Sequence, residues 1–362
     1  MRVERGSGRG HTRPPPPVAV IVPVRNGERT IDSCLESILR THYPGSLRRI
    51  MVVDNASTDH TAQIVRRYPV EYVREPRRGP SAARNRGIQE TDEPIIAFTD
   101  ADCVVGGSWL RELVEAVSEH GVAAAGEILP YPPRTRCERY MAMRRRCWQR
   151  VALTLPYPYA VTANVAFRRE VFARIGFFDE RFTTGEDQDL SWRFLQSGLT
   201  LRYAADAIVF HRHRPHLGGF LTQQLAWAHG GSLLRRRYQL PGGLRTEIVE
   251  WWRLVRLAGV VVRAGARHAT RGGPEMDLYY PLLDLLRRLA WRLMGMYSIV
   301  LGAPAAFDRR SAVRLNPAEW RISLEASPPA PFAPAHLMST PLSIESDKEG
   351  NATMPAPVST LR

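Results

Sequence analysis

The chain has 362 residues, of which 44% are hydrophobic, and a formal net charge of +14 at pH 7. This composition supports one sizeable globular domain with additions and excludes a fibrous or wholly disordered chain. The basic excess asks for anionic partners, and with no zinc-finger spacing, heptad-linked basic helix or aromatic-basic RNA-binding strand it favours nucleotide phosphates and an acidic membrane surface over nucleic acid.

Residues 1–17, basic and Gly-rich before Pro14 to Pro17, read as a disordered leader. From Val18 strands and helices alternate. Val18 to Val24 is a buried-strand run, Arg25-Asn26-Gly27 a turn, and Ile31, Leu35, Ile38 and Leu39 predict a helix over 28–41. Ile50 to Val53 is the next strand, closed by Asp54, and Ser57 or Thr58 can cap the helix holding Ile64 and Val65. Val70 to Val73 is a third strand. Gly79-Pro80-Ser81 opens a helix to Gln89, with Pro80 suited to its first position. The run Ile95 to Phe98 follows, then a helix from Ser108 to about His120 and a strand near Val122 to Ile128.

A basic, proline-marked segment, Pro130 to Pro158, interrupts the alternation. Strand character resumes over Thr162 to Arg168. Short helices are expected over Arg169 to Ile175 and over Asp187 to Ser197, the latter stopped by Gly198, and Ala207 to Phe210 is a last strand. The alternation predicts an α/β catalytic domain over 18–215, three layers around a mostly parallel central sheet. A helical extension rich in Arg, Trp and Leu is expected over 216–302, and a disordered tail over 303–362.

Cys34, Cys103, Cys137 and Cys147 show no C-x-x-C spacing, so neither a zinc site nor a disulfide framework is indicated and a reducing compartment fits. No secretory signal is read at the start, and no apolar run reaches the ~20 residues needed to span a bilayer. A cytoplasmic protein, peripheral at the inner face of the cell membrane, is the expectation.

Thr99-Asp100-Ala101-Asp102 ends the Ile95 strand. If the extended geometry continues, its two carboxylates share one side, and a hard divalent cation is the usual answer to their repulsion. Asn26 and Glu28 follow the first strand and Asp54 closes the second. Ligands of open parallel sheets bind beyond the strands' carboxyl ends, so three polar strand ends predict a ligand cleft. The absence of a G-x-G-x-x-G turn or a P-loop excludes the usual dinucleotide site. At about 100° per residue, Asp187 falls on the arc of Leu190 and Phe194 whereas Asp189 points away with Arg193. An acid on an apolar face is costly unless used or paired, which makes Asp187 the candidate general base. Asp189 and Arg193 are expected to form a surface ion pair.

The motifs Val20-Ile21-Val22-Pro23-Val24-Arg25-Asn26-Gly27-Glu28, Val52-Val53-Asp54-Asn55-Ala56-Ser57-Thr58-Asp59, Gly79-Pro80-Ser81-Ala82-Ala83-Arg84-Asn85, Thr99-Asp100-Ala101-Asp102 and Gly185-Glu186-Asp187 stand in this order. Together, over about residues 18–213, they resemble family 2 of the glycosyltransferases, which has the nucleotide-sugar-binding GT-A fold. The resemblance implies inverting transfer of a sugar from a nucleotide-diphosphate donor, aided by Mg²⁺ or Mn²⁺, with UDP favoured and GDP and dTDP open. It implies that Pro23, Arg25 and Glu28 line the nucleotide pocket, that Asp54 bonds the base, that Arg77 and Arg84 lie near the donor, and that Asp100 faces the ribose or sugar. It implies Asp102 as the metal ligand, with His211, ahead of His213, completing the site. Asp187 would be the base, Glu186 would position the acceptor, and Asn164 and Trp227 would lie by the acceptor pocket.

Gln223-Gln224-Leu225-Ala226-Trp227 has the outer residues of the Q-x-x-R-W motif of processive synthases but Ala226 where arginine belongs. This favours transfer of a single sugar to a glycan or lipid-linked acceptor in envelope or polysaccharide assembly. The alternatives are a processive synthase and a non-catalytic nucleotide-sugar-binding protein. The Trp- and Arg-rich C-terminal helices suit either an anionic membrane interface or packing on the catalytic domain.

Overall fold

Val18–Val24 (β1), Arg48–Asp54 (β2), Glu71–Arg74 (β3) and Ile95–Phe98 (β4) form the parallel half of one sheet, in the order β3-β2-β1-β4. The computed structural model describes residues 14–120, 122–144, 149–240, 244–300 and 313–324. Register sets Val24 beside Asp54 and Ile21 beside Phe98. The chain therefore leaves β1, β2 and β4 at the same edge, where Asn26, Asp54 and the Asp100–Asp102 turn gather.

The other strands are Cys103–Val105 (β5), Ala123–Pro130 (β6), Val165–Arg168 (β7), Thr200–His211 (β8) and Arg321–Ser323 (β9). β7 runs antiparallel between β4 and β6, β6 and β8 pair in parallel, and β5 closes the far edge antiparallel to β8. The sheet is thus mixed, with all-parallel pairing in the β3-β2-β1-β4 half. β8 is much longer than the sequence suggested. Its alternating half-buried pattern, with Arg202 and Asp206 among apolar residues, hides a strand from a search for apolar runs.

Helices cover both faces because alternate strand residues face opposite ways. Val18, Val20, Val22 and Val24 of β1 pack with Ile31–Leu39 (α1), Thr61–Val65 (α2) and Trp109–His120 (α4). Ile21 faces the other way, toward Pro80–Gln89 (α3), Glu170–Ile175 (α7) and Glu186–Gln196 (α8). Arg136–Arg144 (α5) and Gln149–Leu153 (α6) fill the proline-marked segment.

Leu217–Tyr238 (α9), Leu244–Arg271 (α10) and Glu275–Val300 (α11) follow. Buried Asp284 on α11 accepts from Tyr140 and Arg287 and is paired with Arg288 and Arg144, tying α11 to α5. Among the described residues no helix is long and apolar enough to cross a membrane.

Two expectations of disorder need correction. Residues 313–324 are ordered: Val313 N–H donates to Arg237 O, and β9 adds in parallel to β8. Backbone pairing at a sheet edge needs no apolar periodicity, so the sequence carried no warning. Within the leader, the Pro16 carbonyl accepts from the Tyr43 hydroxyl. The expectations for 1–13, 303–312 and 325–362 lie outside the described residues.

Candidate active site

Gly79, at φ 128°, and Pro80 at the first helical position start α3, and one turn later the helix buries Arg84. Arg84 Nη1 donates to Glu186 Oε1 at 2.7 Å and Nη2 to Asp100 Oδ1 at 2.9 Å. Its Cζ lies 5.6 Å from the Phe178 ring centroid. A planar, permanently charged fork suits two carboxylates arriving from different elements. Arg84 therefore joins the β4 turn to the start of α8.

The two aspartates of the turn have separate partners. Asp102 Oδ1 lies 3.5 Å from His211 Nε2, and Oδ2 lies 3.9 Å from Arg214 Nη2. Antiparallel pairing of β5 with β8 sets Cys103 beside His211, and Arg212 N–H donates to Asp102 O at 3.0 Å, so backbone ladders bring His211 to Asp102. Ligand atoms about 2.1 Å from one cation at roughly right-angled to tetrahedral geometry stand about 3.0–3.4 Å apart, so this pair fits a shared divalent ion with little movement. His211 Nδ1 is buried with no hydrogen-bond partner among the described residues. Cys103 Sγ is also nearby. However, burial, then the charges of Asp102 and Asp100, push its thiol well up and keep it protonated. His213, its ring centroid 5.4 Å from that of His211, is pushed down to about 3 by burial and is neutral.

Gly185, in the left-handed region at φ 87°, turns the chain into α8, whose first residues are Glu186 and Asp187. Glu186 is buried on Arg84. Asp187 is half-buried on the cavity wall, and burial, then the charge of Glu186, raises its carboxyl to about 7, Arg84 only partly offsetting this. Asp189 corrects the sequence reading. It does pair with Arg193, at 2.8 Å, but it is only 1% exposed, and Tyr238 OH donates to it at 2.6 Å. The end of α9 covers the helix face that local periodicity assigned to solvent.

Arg84, Asp100, Asp102, Glu186, Asp187 and His211 surround one open cavity of about 280 Å³. Its opposite wall comes from the C-terminal helices: Gln223 and Trp227 on α9, and Trp291 on α11. The wall stands close because Gly230 lets α9 touch the loop before α8. A Cβ there would lie 2.3 Å from Thr184 O, and Thr184 Oγ1 donates to Ala226 O at 2.7 Å.

The other expected donor residues stand outside this cavity. Pro23 is half-buried in β1, and Arg25 is exposed. Glu28 accepts from His60 N–H and faces its Nδ1 at 3.0 Å. Asp54 is buried, taking Ser57 N–H at 2.8 Å and Tyr72 OH at 2.6 Å. Arg77 is spent on Glu75 and Glu180. Asn164 is a correction: it does not line the cavity. Fully buried, it accepts from Trp109 Nε1 and donates to Glu127 O and Ala207 O, a strut between β6 and β8.

Sequence reading missed Trp291, Tyr159 and Arg214 on the cavity wall. Trp291 sits in a Leu-rich helix and reads as core. Arg214 follows a strand whose length was underestimated, and Tyr159 follows a segment without periodicity.

Residues 19–176 match the family model for glycosyl transferase family 2. Glycosyltransferase AglE of Haloferax volcanii is 30% identical over 257 residues, covering 67% of this chain and 76% of that protein. The Pre-mycofactocin glycosyltransferase of Mycobacterium tuberculosis is 29% identical over 238 residues, covering 61% of this chain but only 49% of that protein. The solved structure of mannosyltransferase PcManGT from Pyrobaculum calidifontis, in complex with GDP-Man and Mn²⁺, aligns with a TM-score of 0.54 at 21% identity, over 78% of this chain and 88% of that one. This last likeness is one of fold.

Proposed function

The chain belongs to glycosyltransferase family 2 and has the GT-A type of fold, and from that premise we propose that it is an inverting, metal-dependent transferase moving a single sugar from a nucleotide-diphosphate donor to an acceptor hydroxyl. The observation that carries the reading is Arg84, which holds Asp100 and Glu186 at once, so that the Asp102–His211 pair and Asp187 face the same cavity. Asp187 is the group to take the acceptor's proton. Its carboxyl, raised to about 7 by burial and then by Glu186, is matched to base catalysis near neutrality. The acceptor oxygen bonds to the sugar's anomeric carbon from the face opposite the leaving group. The bond to the phosphate oxygen breaks, and the nucleoside diphosphate departs. Mg²⁺ or Mn²⁺ held by Asp102 and His211 would supply charge stabilisation at that diphosphate.

Pro23, Arg25, Glu28 and Asp54, on the adjoining strand edge, are proposed to take the nucleotide, with UDP favoured. The neighbour solved with GDP-Man keeps GDP in view. Arg214, 3.9 Å from Asp102, is better placed than the twice-paired Arg77 to meet a phosphate. Trp227, Trp291 and Tyr159 offer aromatic faces to an acceptor sugar. In this reading 18–215 form the catalytic domain, and the helices of 216–302 form the acceptor wall. A glycan or lipid-linked sugar, handled at the cytoplasmic face of the membrane in envelope or polysaccharide assembly, is the proposed acceptor.

The test is a thermal-shift screen of UDP-, GDP- and dTDP-sugars with and without Mn²⁺ or Mg²⁺, followed by transfer assays with Asp187→Asn. One donor should raise the unfolding temperature only with metal, because a ligand bound to the folded state alone stabilises it. Asp187→Asn should keep that shift and lose turnover. A chain stabilised by no nucleotide sugar under any metal condition would sink the reading.

A further inference from the structure

The described side chains of α10 divide into two faces. Leu254 and Ala264 are buried, whereas Ile248, Trp252, Val255 and Val262 are exposed, Trp252 at 66% and Val262 at 71%. Spaced by three, four and seven residues, the exposed set forms a stripe along about four turns of helix, with Gly259 and Ala266 in the same line. Arg256, Arg263 and Arg267, all exposed, follow one flank of the stripe at about 60–100° from its centre. No carboxylate among the described residues pairs with these three. Glu250, pointing away from the stripe, is taken by Arg253 and Arg288. Arg263 Nη1 lies 3.5 Å from where a Gly259 Cβ would be, so its guanidinium bends over the gap in the apolar row. Leu289, Leu293 and Met296 on α11, the antiparallel neighbour of α10, form a second exposed run at i, i+4 and i+7.

We infer that this face of α10 docks in the plane of an anionic phospholipid surface. Trp252 and the aliphatic side chains would enter the boundary between headgroups and acyl chains, and Arg256, Arg263 and Arg267 would meet the lipid phosphates. The charge pattern selects this occupant. An apolar stripe alone would serve a second copy of the chain equally well, but two copies paired on this face would bring basic flanks together. Anionic lipid offers an apolar layer rimmed by negative charge, the complement of what α10 presents. Docking needs no spanning segment, and among the described residues no helix is long and apolar enough to be one. None of these residues lines the catalytic cavity.

Flotation of the full chain with phosphatidylcholine vesicles, with and without phosphatidylglycerol, tests this without donor, metal or acceptor. The result therefore stands or falls apart from the transferase reading. Binding should be at least about tenfold stronger to the phosphatidylglycerol vesicles and should weaken with salt. Two sets of substitutions, Trp252→Glu with Val262→Glu, and Arg256→Glu with Arg263→Glu and Arg267→Glu, should each lower it at least about tenfold. Unfolding temperatures should not move, since these side chains are exposed. Equal binding to both vesicle types, binding to neither, or retention of binding by either variant would overturn the inference. So would a concentration-dependent dimer abolished by Trp252→Glu, which would assign the stripe to a second copy.

Discussion

Arg84 Nη1 lies 2.7 Å from Glu186 Oε1, a contact between α3 and α8 across 102 residues of sequence. The same guanidinium reaches Asp100 at 2.9 Å, so one buried cation fixes the distance between the Asp100–Asp102 turn and the proposed base. Arg84→Met leaves buried Glu186 and half-buried Asp100 without the cation they share. Removing one partner of such a pair costs on the order of 3–5 kcal/mol, and the misplaced site should lose at least about a hundredfold in turnover. Arg84→Lys keeps the charge but has no fork to span both acids, so it should fall between wild type and Arg84→Met. Thermal unfolding and kcat for the two variants check the ordering. A lysine variant as active as wild type would show that charge alone suffices.

The carboxyl of Asp187 carries the pH dependence. Burial, then Glu186, raises it to about 7, so transfer should rise as pH passes upward through about 7 and the base becomes free of its proton. Stability runs the other way. Between the ordinary aspartate range and pH 7 the folded chain holds a proton that the unfolded chain has released, so folding weakens as pH rises across that window. Asp187→Asn removes this penalty. It should unfold at a higher temperature than wild type at pH 8, by on the order of 1–3 kcal/mol, with the difference gone near pH 4. Unfolding curves at the two pH values decide it, and a variant less stable than wild type at pH 8 would contradict the assignment.

Asn164 gives a cleaner separation of roles. Its carboxamide makes three buried hydrogen bonds, to Trp109, Glu127 and Ala207. Asn164→Ala should destabilise by about 2–4 kcal/mol, since each abandoned partner is buried. At temperatures where the variant is folded, KM for the acceptor should be unchanged. A raised acceptor KM with unaltered unfolding would restore the acceptor role that its position in the sequence suggested.

The difference between Asp187 and Asn164 marks how far the sequence could be read. Asp100, Asp102, Asp187 and His211 end strands or begin helices, and period and topology bring such positions to one edge of a sheet. Asn164 also stands at a strand start, but only the bulge in β8, between Ala204 and Ile208, determines that it points inward. Asp189 failed for a similar reason: its own helix leaves that side open, and Tyr238, from an element 49 residues on, closes it. The Trp291 wall depends on how α9 and α11 pack against the catalytic half, which no local pattern encodes.

That wall rests on the contact at Gly230. A Cβ there would sit 2.3 Å from the Thr184 carbonyl, and backbone on both sides cannot yield cheaply. Gly230→Ala should therefore lever α9 away from the loop ahead of Asp187, carrying Trp227 with it. A loss of at least about tenfold in kcat/KM for the acceptor is expected, with a drop in stability of about 1–3 kcal/mol and little change in donor binding. Initial rates over varied acceptor concentration, alongside donor-induced thermal shifts, separate these effects. A variant with wild-type acceptor kinetics would mean that the wall is not used.

His211 is the position at which metal dependence can be distinguished from scaffolding. Its Nε2 stands 3.5 Å from Asp102 Oδ1, while His213 beside it is buried and held neutral. If a divalent ion bridges Asp102 and His211, chelation with EDTA should abolish transfer and the donor-induced thermal shift together, and Mn²⁺ should restore both. His211→Ala removes one ligand and should raise the Mn²⁺ concentration needed for that shift by at least about tenfold, since losing even an outer partner of a ligand costs about 10–100-fold in metal affinity. His213→Ala should lower the unfolding temperature through the cavity it leaves, with the Mn²⁺ requirement intact. Full activity after exhaustive chelation would rule the ion out, and a shifted Mn²⁺ requirement in His213→Ala but not in His211→Ala would exchange the two histidines' roles.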